Sequence, residues 1–237
     1  MESVLAGRTV VEVSQSPAAG LATMVMADFG ADVIWFEYGG RNGSRVKPEE
    51  QGDGYRVWHR GKRRIPVNLS ATSDAAQSEA DAIREHILAS ADVFVTDLNV
   101  ERLGELGLDW SALGARRPDL VHAEVSAFGD DNPFSILAAD GDRGMPQESL
   151  VAAAIGRMML FEGVAKRPGP VYSAVPVGTH GAAQATLAGV LAQLVARQSG
   201  CLGQRQQNSI LRTLTSYDLV ALGASQLDES PFPMVNP

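Results

Sequence analysis

Cysteine is nearly absent from this sequence, whose 237 residues include a single thiol, Cys201. One thiol cannot form an internal disulfide framework or a Cys-based zinc site. Basic residues are also in the minority, with 20 Lys and Arg against 28 Asp and Glu, which gives a formal net charge of −8. Because an acidic chain repels phosphodiester backbones, we expect no nucleic-acid partner.

Long hydrophobic runs are missing as well. No segment approaches about 18 consecutive apolar residues, so we expect no transmembrane helix and no membrane partner. The N-terminal segment, Met-Glu-Ser-Val-Leu, lacks the basic and apolar stretches of a secretory signal. These two absences together predict a cytoplasmic protein.

The common catalytic motifs are absent too. The sequence has no Gly-rich phosphate loop ending in Lys-Ser or Lys-Thr, and no Gly-x-Ser-x-Gly elbow. Residues 14–20, which follow the first predicted strand, lack the three spaced glycines of a dinucleotide fingerprint. The four His residues show no metal-ligand spacing, so we expect no metal site and no permanently bound cofactor.

What the sequence does contain is an alternation of strand and helix patterns over its first 128 residues. Residues 9–13 form a β-branched run typical of a buried strand, and Ser16-Pro17 offers a helix start. Apolar residues from 18 to 29 recur at helical spacing before Gly30, and a strand is predicted at 32–36. Further strands are predicted at 65–69, 93–95 and 120–125, with a helix at 73–89. This alternation predicts an α/β fold, a doubly wound, mostly parallel Rossmann-like sheet with flanking helices.

The rest of the chain is predicted to be polar loop or helix. Segments 38–61 and 129–147 are predicted loops, and Pro66 places its strand at a sheet edge or at a strand start. A helix-rich segment is expected to follow, with helices at 148–161, 179–198 and 217–227 and a weak strand at 204–211. The expected organisation is a Rossmann-like part over residues 1–128 and a helical part with a return strand over 148–228.

A cluster of basic residues stands out in this acidic chain. Nine residues without an acid contain five cations: Arg56, Arg60, Lys62, Arg63 and Arg64. Such a cluster can bind a phosphorylated small molecule through charge-assisted hydrogen bonds. It can equally be a solvated loop that offsets nearby acids such as Glu49, Glu50 and Asp53, and composition alone leaves both interpretations open.

Glu148 is the second candidate, since it follows the Gly-rich loop at the predicted N-terminus of an apolar helix. The helix dipole stabilises a carboxylate at that position, which is a sufficient structural explanation. The functional alternative is a nucleophilic carboxylate that forms a covalent acyl intermediate.

An ordered series of segments resembles the family III CoA-transferases, which include carnitine and formyl-CoA transferases and α-methylacyl-CoA racemases. The segments that resemble the family are 5–14, 22–24, 27–34 with Glu37, 60–65 with Asn68-Leu69, 91–95, 117–121, 126–129, 175–177 and 203–204. In that family a carboxylate lies ten residues before a Met or Leu, as Glu148 lies ten residues before Met158. The series spans nearly the whole chain.

The resemblance implies a CoA-transferase that moves CoA between an acyl-CoA and a small carboxylic acid. Glu148 would attack the acyl-CoA thioester, form a mixed anhydride and then carry CoA as a thioester. Coenzyme A and acyl-CoA would be substrates and not resident cofactors. The residues implied in binding CoA are Pro17, Ala18, Arg60, Lys62, Arg63, Asn68 and Leu69 for the nucleotide and pantetheine parts, with Ser126 and Phe128 near the thioester.

The sequence departs from the family pattern at several positions. Residues 97–101, Asp-Leu-Asn-Val-Glu, replace the family's Asn-Phe-Arg-Pro-Gly, so an Arg is lost and two acids are added. Near a CoA phosphate these acids would weaken binding. Tyr38 stands where an Arg often follows Glu37, and Gln147 and Thr179 replace the two bases of the racemases, which disfavours that branch.

The resemblance covers only the first half of the family fold. We therefore expect a homodimer, or a hetero-oligomer with a second-half subunit. The alternative to an active CoA-transferase is a non-catalytic or split subunit that needs a partner chain.

Overall fold

The computed structural model describes residues 3–38, 52–69, 74–129 and 175–217. Within these ranges lie six strands and seven helices. The strands are β1 Thr9–Val13, β2 Asp32–Tyr38, β3 Lys62–Val67, β4 Val93–Thr96, β5 Val121–Ser126 and β6 Arg205–Ser209. The helices are α1 Pro17–Asp28, α2 Gly52–Trp58, α3 Asp74–Ser90, α4 Val100–Leu106, α5 Trp110–Arg116, α6 Val177–Gln198 and α7 Ile210–Tyr217.

The six strands form one sheet in the order β3-β2-β1-β4-β5-β6. Each pairing from β3 to β5 is parallel, and Val13 of β1 is in register with Phe36 of β2 and Thr96 of β4. The predicted α/β fold with a parallel Rossmann-like sheet is thus confirmed. Because the chain winds outward from β1 in both directions, the strand order reverses between β1 and β4.

Burial explains why these apolar segments form the central strands. Apart from Thr9 of β1 and Ser126 of β5, every residue of β1, β4 and β5 is buried, as expected for parallel strands covered on both faces. The predicted face of α3, Ala76, Ala80, Ile83 and Ile87, is buried, and its last three residues share a core cluster with Phe94. Burying each large apolar side chain contributes about 1.5–3 kcal/mol.

Local chemistry fixes both ends of α1. Ser16 is its N-cap, with a side chain that accepts from the Ala18 N–H at 3.2 Å, and Pro17 occupies the first turn. Gly30 follows the helix with φ of 92°, a backbone conformation that is unfavourable for any residue with a Cβ atom. The predicted start at Ser16-Pro17 and stop near Gly30 are confirmed.

Two predictions for the first unit of structure were wrong. Segment 38–61 was expected to be a loop, but residues 52–58 form the short helix α2, which lies beside α1. Gly20 of α1 leaves room there for the His59 ring. The strand expected at 65–69 begins earlier, at Lys62, because β2 offers a parallel partner from Val33 onward. The edge position predicted from Pro66 is confirmed, since β3 ends the sheet.

Two predicted C-terminal elements are confirmed, the long helix as α6, Val177–Gln198, and the weak strand as β6, Arg205–Ser209. Strand β6 is present despite its Gln and Asn residues because Gln206 donates to the Thr186 carbonyl at 2.9 Å and accepts from Gln193 at 2.9 Å. Helix α7, Ile210–Tyr217, was not predicted. The predicted helix at 148–161 and the chain beyond 217 lie outside the described residues.

The chain divides into two compact units, residues 1–126 with 183–208 and residues 127–182 with 209–237. The first unit contains the sheet and helices α1–α5. In the second, α7 packs on the start of α6, where a Cβ added to Gly178 would lie 2.8 Å from Ile210 and Leu214. The close approach of these two helices therefore depends on glycine.

Candidate functional site

The carboxyl ends of β1, β2 and β4 lie at one edge of the sheet, beside the point where strand order reverses. Ligands of open parallel α/β sheets bind outside this edge, at such a reversal. The residues that follow these strand ends are the Ser14–Ser16 turn, Tyr38 and Asp97. This carboxyl edge is therefore the candidate site.

Asp97 joins the three strand ends. Its carboxylate accepts hydrogen bonds from the Gln15 N–H at 2.9 Å, the Ser16 N–H at 2.6 Å and the Tyr38 hydroxyl at 2.6 Å. The Gln15 side chain in turn donates to the Tyr38 carbonyl. The turn between β1 and α1 is thus held by a side chain that follows β4.

Desolvation dominates the ionisation of this group. Burial of the carboxyl group raises the pKa of Asp97 to about 6, against the lowering effect of its three hydrogen bonds. Burial and the neighbouring Asp97 charge raise the pKa of Tyr38 well above its ordinary value. The neighbouring charge of Glu12 also raises the pKa of Asp97.

A second buried carboxylate, Glu12, lies on β1. It is fully buried and accepts from Lys62 Nζ at 2.8 Å, Ser14 Oγ at 2.6 Å and Thr23 Oγ1 at 2.6 Å. Burial raises the pKa of Glu12, but the Lys62 charge and the hydrogen bonds outweigh it, so the net pKa is lowered. Glu12 is consequently a buried anion neutralised by a buried cation.

The ammonium of Lys62 is saturated within this network. Besides Glu12, it donates to the Gly20 carbonyl at 2.9 Å and to His59 Nδ1 at 3.2 Å, and its side chain has no exposed surface. Burial and the Lys62 charge lower the pKa of His59 to about 4, and its ring stacks on Trp35 with centroids 3.6 Å apart. The contact of Lys62 with CoA stays a prediction, and the structure directs the Lys62 ammonium into the protein.

Three of the other four cations of the basic cluster also face carboxylates. Arg60 pairs with Asp28, Arg63 with Asp32 and Arg64 with Glu37. Arg56 is exposed on α2. The pairing acids come from α1 and β2 and not from the adjacent sequence, because parallel pairing places β3 beside β2.

The sheet separates the predicted CoA contacts into two groups. Pro17, Ala18, Asn68, Leu69 and Ser126 belong to the carboxyl edge, since each follows or ends a strand there. Arg60, Lys62 and Arg63 lie at the start of β3, whose six residues span about 20 Å. The basic cluster therefore begins at the edge opposite the β1–α1 turn.

Several residues predicted to bind CoA are buried or bonded within the protein. Ala18 and Leu69 are buried, the Asn68 N–H donates to Glu79, and the Leu69 carbonyl accepts from Arg102. Phe128 is buried. Glu148, the predicted nucleophile, lies outside the described residues.

Sequence reasoning missed the bond between Tyr38 and Asp97. The sequence shows them only as separate departures from the family pattern: Tyr38 stands where an Arg is frequent, and Asp97 is an added acid. The available signal was their position, since each ends or directly follows a buried strand, and such ends meet at one edge of a parallel sheet.

The described ranges contain neither a metal-ligating cluster nor a membrane-spanning helix. No group of three or more His, Cys, Asp or Glu residues there could hold a metal ion. None of the helices in those ranges is long and apolar enough to span a bilayer.

A family model and two curated relatives that match this chain are CoA-transferases. The model of CoA-transferase family III matches residues 5–224. Succinyl-CoA–D-citramalate CoA-transferase from Chloroflexus aurantiacus is 30% identical over 82% of this chain and 46% of its own length. Formyl-CoA:oxalate CoA-transferase from Escherichia coli is 25% identical over 86% of this chain and 47% of its own length.

A solved structure agrees at the level of the fold. A CAIB/BAIF family protein from Brucella suis superposes with a TM-score of 0.75 at 21% identity, covering all of this chain and 61% of that protein. The chain spans about half the length of the curated relatives it matches. Since the family match extends over residues 5–224 of 237 and a relative of this family shares 30% identity, the chain belongs to CoA-transferase family III.

Proposed function

We propose that this chain binds an acyl-CoA and takes part in transferring CoA to a small carboxylic acid, with Glu148 as the nucleophile. The observation that carries the proposal is the family match over residues 5–224. Because the chain covers about half of its relatives, the activity, the substrates and the partners are all part of the proposal.

The proposed chemistry is two exchanges at one carboxylate. Glu148 attacks the donor thioester, the C–S bond breaks, and CoA thiolate leaves behind a mixed anhydride. The thiolate then attacks the Glu148 carbonyl, which releases the donor acid and leaves a Glu148–CoA thioester. The acceptor carboxylate attacks that thioester, and the returning thiolate takes the acceptor acyl group and regenerates the Glu148 carboxylate.

The described structure supports a binding site at the carboxyl edge. Pro17 and Ala18, Asn68 and Leu69, and Ser126 all follow or end strands at this edge. Parallel α/β sheets place their ligands there. The basic cluster supports the proposal less, since four of its five cations already pair with carboxylates.

Names of relatives guide the choice of a donor. One relative is named for succinyl-CoA and D-citramalate, and others for succinyl-CoA and mesaconate. Succinyl-CoA is therefore the first donor to test.

The experiment traps the covalent intermediate. Wild type, Glu148→Gln and the control Glu85→Gln are incubated with succinyl-CoA, quenched with hydroxylamine or borohydride, and analysed by intact mass and peptide mapping. Glu85 is a suitable control because its side chain is 69% exposed and its ion pair with Arg116 is long, at 3.8 Å. We expect modification of the Glu148 peptide in wild type and in the Glu85 variant only.

Titration with CoA accompanies the trap. Unmodified wild type that nevertheless binds CoA would remove the covalent role of Glu148. That result would favour the alternative, a non-catalytic or split subunit, which the paired state of the basic cluster also favours. Co-purification from the native host, with activity measured with and without this chain, then tests that alternative.

A further inference from the structure

The hydrogen-bond network of Asp97, as far as the structure describes the chain, contains no cation. The nearby acids Glu12 and Glu37 pair with Lys62 and Arg64, so each of these pairs is neutral. Among the described residues, the Asp97 carboxylate accepts only from neutral donors, the Tyr38 hydroxyl and two backbone N–H groups. When Asp97 is ionised, no hydrogen-bonded cation in the described part of the chain offsets its charge.

Asp97 also occupies the hydrogen-bond donors of the β1–α1 turn. The Gln15 and Ser16 N–H groups precede α1 and both donate to Oδ2 of Asp97. Backbone N–H groups before a helix are donors suited to an anion, and here a carboxylate of the protein itself is that anion. A phosphate arriving at the turn would meet a filled donor set and a like charge.

Tyr38 keeps the Asp97 carboxylate in this position. Its hydroxyl donates to Oδ1 at 2.6 Å, while its carbonyl accepts from the Gln15 side chain. One oxygen of Asp97 thus faces the turn and the other faces Tyr38. The two departures from the family pattern, at 38 and 97, act as one unit.

We propose that Asp97, held by Tyr38, makes the β1–α1 turn selective for the uncharged pantetheine part of an acyl-CoA and excludes its phosphates. This inference rests on the proposed function and assigns one part of the ligand to one part of the site. Asp97 acts as a specificity-determining residue, because its negative charge repels a phosphate and does not repel an uncharged amide.

The test compares an anionic and an uncharged ligand. Calorimetric titration at pH 7.5 gives the Kd of CoA and of pantetheine for wild type, Asp97→Asn and Tyr38→Arg. Each substitution adds one positive charge unit at the edge, so each should raise the affinity for CoA relative to pantetheine by about tenfold.

Two controls separate charge from shape. Tyr38→Phe removes the hydroxyl without changing charge. Asp109→Asn neutralises another carboxylate that accepts backbone N–H groups, those of Ser111 and Ala112 at the start of α5. Asp109→Asn should leave the ratio of the two affinities within about twofold of wild type, whereas Tyr38→Phe, which loses the hydrogen bond that positions Asp97, should change the ratio by less than Asp97→Asn does.

The outcomes are distinguishable. A ratio unchanged in both Asp97→Asn and Tyr38→Arg, with CoA still bound, overturns the selectivity and leaves the proposed function standing. A wild type that binds neither ligand overturns the proposed function and this inference together. If circular dichroism shows that Asp97→Asn does not fold, Tyr38→Arg decides the question by the same ratio.

Discussion

Two carboxylates, Glu12 buried within the sheet and Asp97 half-buried just after β4, behave in opposite ways. Glu12, in the middle of β1, has an ammonium 2.8 Å away, and the pKa of Glu12 is lowered despite complete burial. Asp97, which follows β4, has only neutral hydrogen-bond donors in the described ranges, and the pKa of Asp97 is raised to about 6. Three hydrogen bonds do not compensate for desolvation, whereas a buried cation does.

The difference separates a structural region from a candidate ligand region. The Glu12 network is closed, because each of its polar atoms faces a partner within the protein and Lys62 has no exposed surface. The Asp97 network lies at the edge where strands end, and its carboxylate retains a charge that a ligand can encounter. Among the described residues, Glu12 inside the sheet has a cationic partner and Asp97 at the carboxyl edge does not.

The largest expected effect comes from removing the buried cation. Lys62→Met leaves Glu12 fully buried without a cation, and we expect the free energy of unfolding to fall by about 3–5 kcal/mol. Urea denaturation followed by circular dichroism measures this loss. The control Arg63→Met breaks an exposed pair with Asp32, and we expect a loss below about 1 kcal/mol.

A second variant checks the cause of that loss. Glu12→Gln combined with Lys62→Met removes both charges, and we expect it to be more stable than Lys62→Met alone. Equal stability of the two variants, or a loss from Lys62→Met no larger than that from Arg63→Met, would contradict the role of charge compensation in the Glu12 network.

The fold was largely predictable because its signals are local. Periodicity alone located the buried face of α3, and Ser16, Pro17 and Gly30 marked the ends of α1. Helix α2 was missed because its seven residues include two glycines, which weaken any helical pattern. Its position depends on packing beside α1 and not on its own propensity.

The candidate site was less predictable because its contacts are distant in sequence. Lys62 and Glu12 are 50 residues apart, and Tyr38 and Asp97 are 59 residues apart. Both contacts exist only through strand order and parallel register, which a single sequence does not specify. The basic cluster therefore suggested a phosphate site, while the structure shows ion pairs from Arg60, Lys62, Arg63 and Arg64 to α1, β1 and β2.

A buried histidine tests the same effect of burial, which lowers the pKa of a base where it raises the pKa of an acid. His122 on β5 is buried between the rings of Phe94 and Trp110, and neither ring nitrogen hydrogen-bonds within the described residues. Burial lowers the pKa of His122 to about 4, although the Glu124 charge opposes this. Between pH 6.5 and about 4, His122 is therefore protonated in the unfolded chain and neutral in the folded protein.

Stability from His122 should accordingly be present above pH 6.5 and be lost as pH falls toward 4. Between pH 7.5 and 4.5 we expect this residue to account for a loss of about 2–3 kcal/mol. Urea denaturation of wild type and His122→Phe at both pH values measures it as the difference between their pH dependences. Parallel pH dependences would show that water or an anion, such as the Glu124 carboxylate 3.3 Å from Nε2, stabilises the charged ring.

Asp97 should give a smaller effect in the reverse direction. The raised pKa of about 6 means that the folded state holds a proton between pH 6 and 3.8 that the unfolded chain releases. Stability from this group is therefore gained as pH falls through 6 and lost as pH rises. We expect about 2 kcal/mol between pH 7.5 and 4.5, absent in Asp97→Asn, whose amide can still accept from the β1–α1 turn. If Asp97→Asn and wild type change equally over this range, a cation must balance Asp97, and the contrast with Glu12 would disappear.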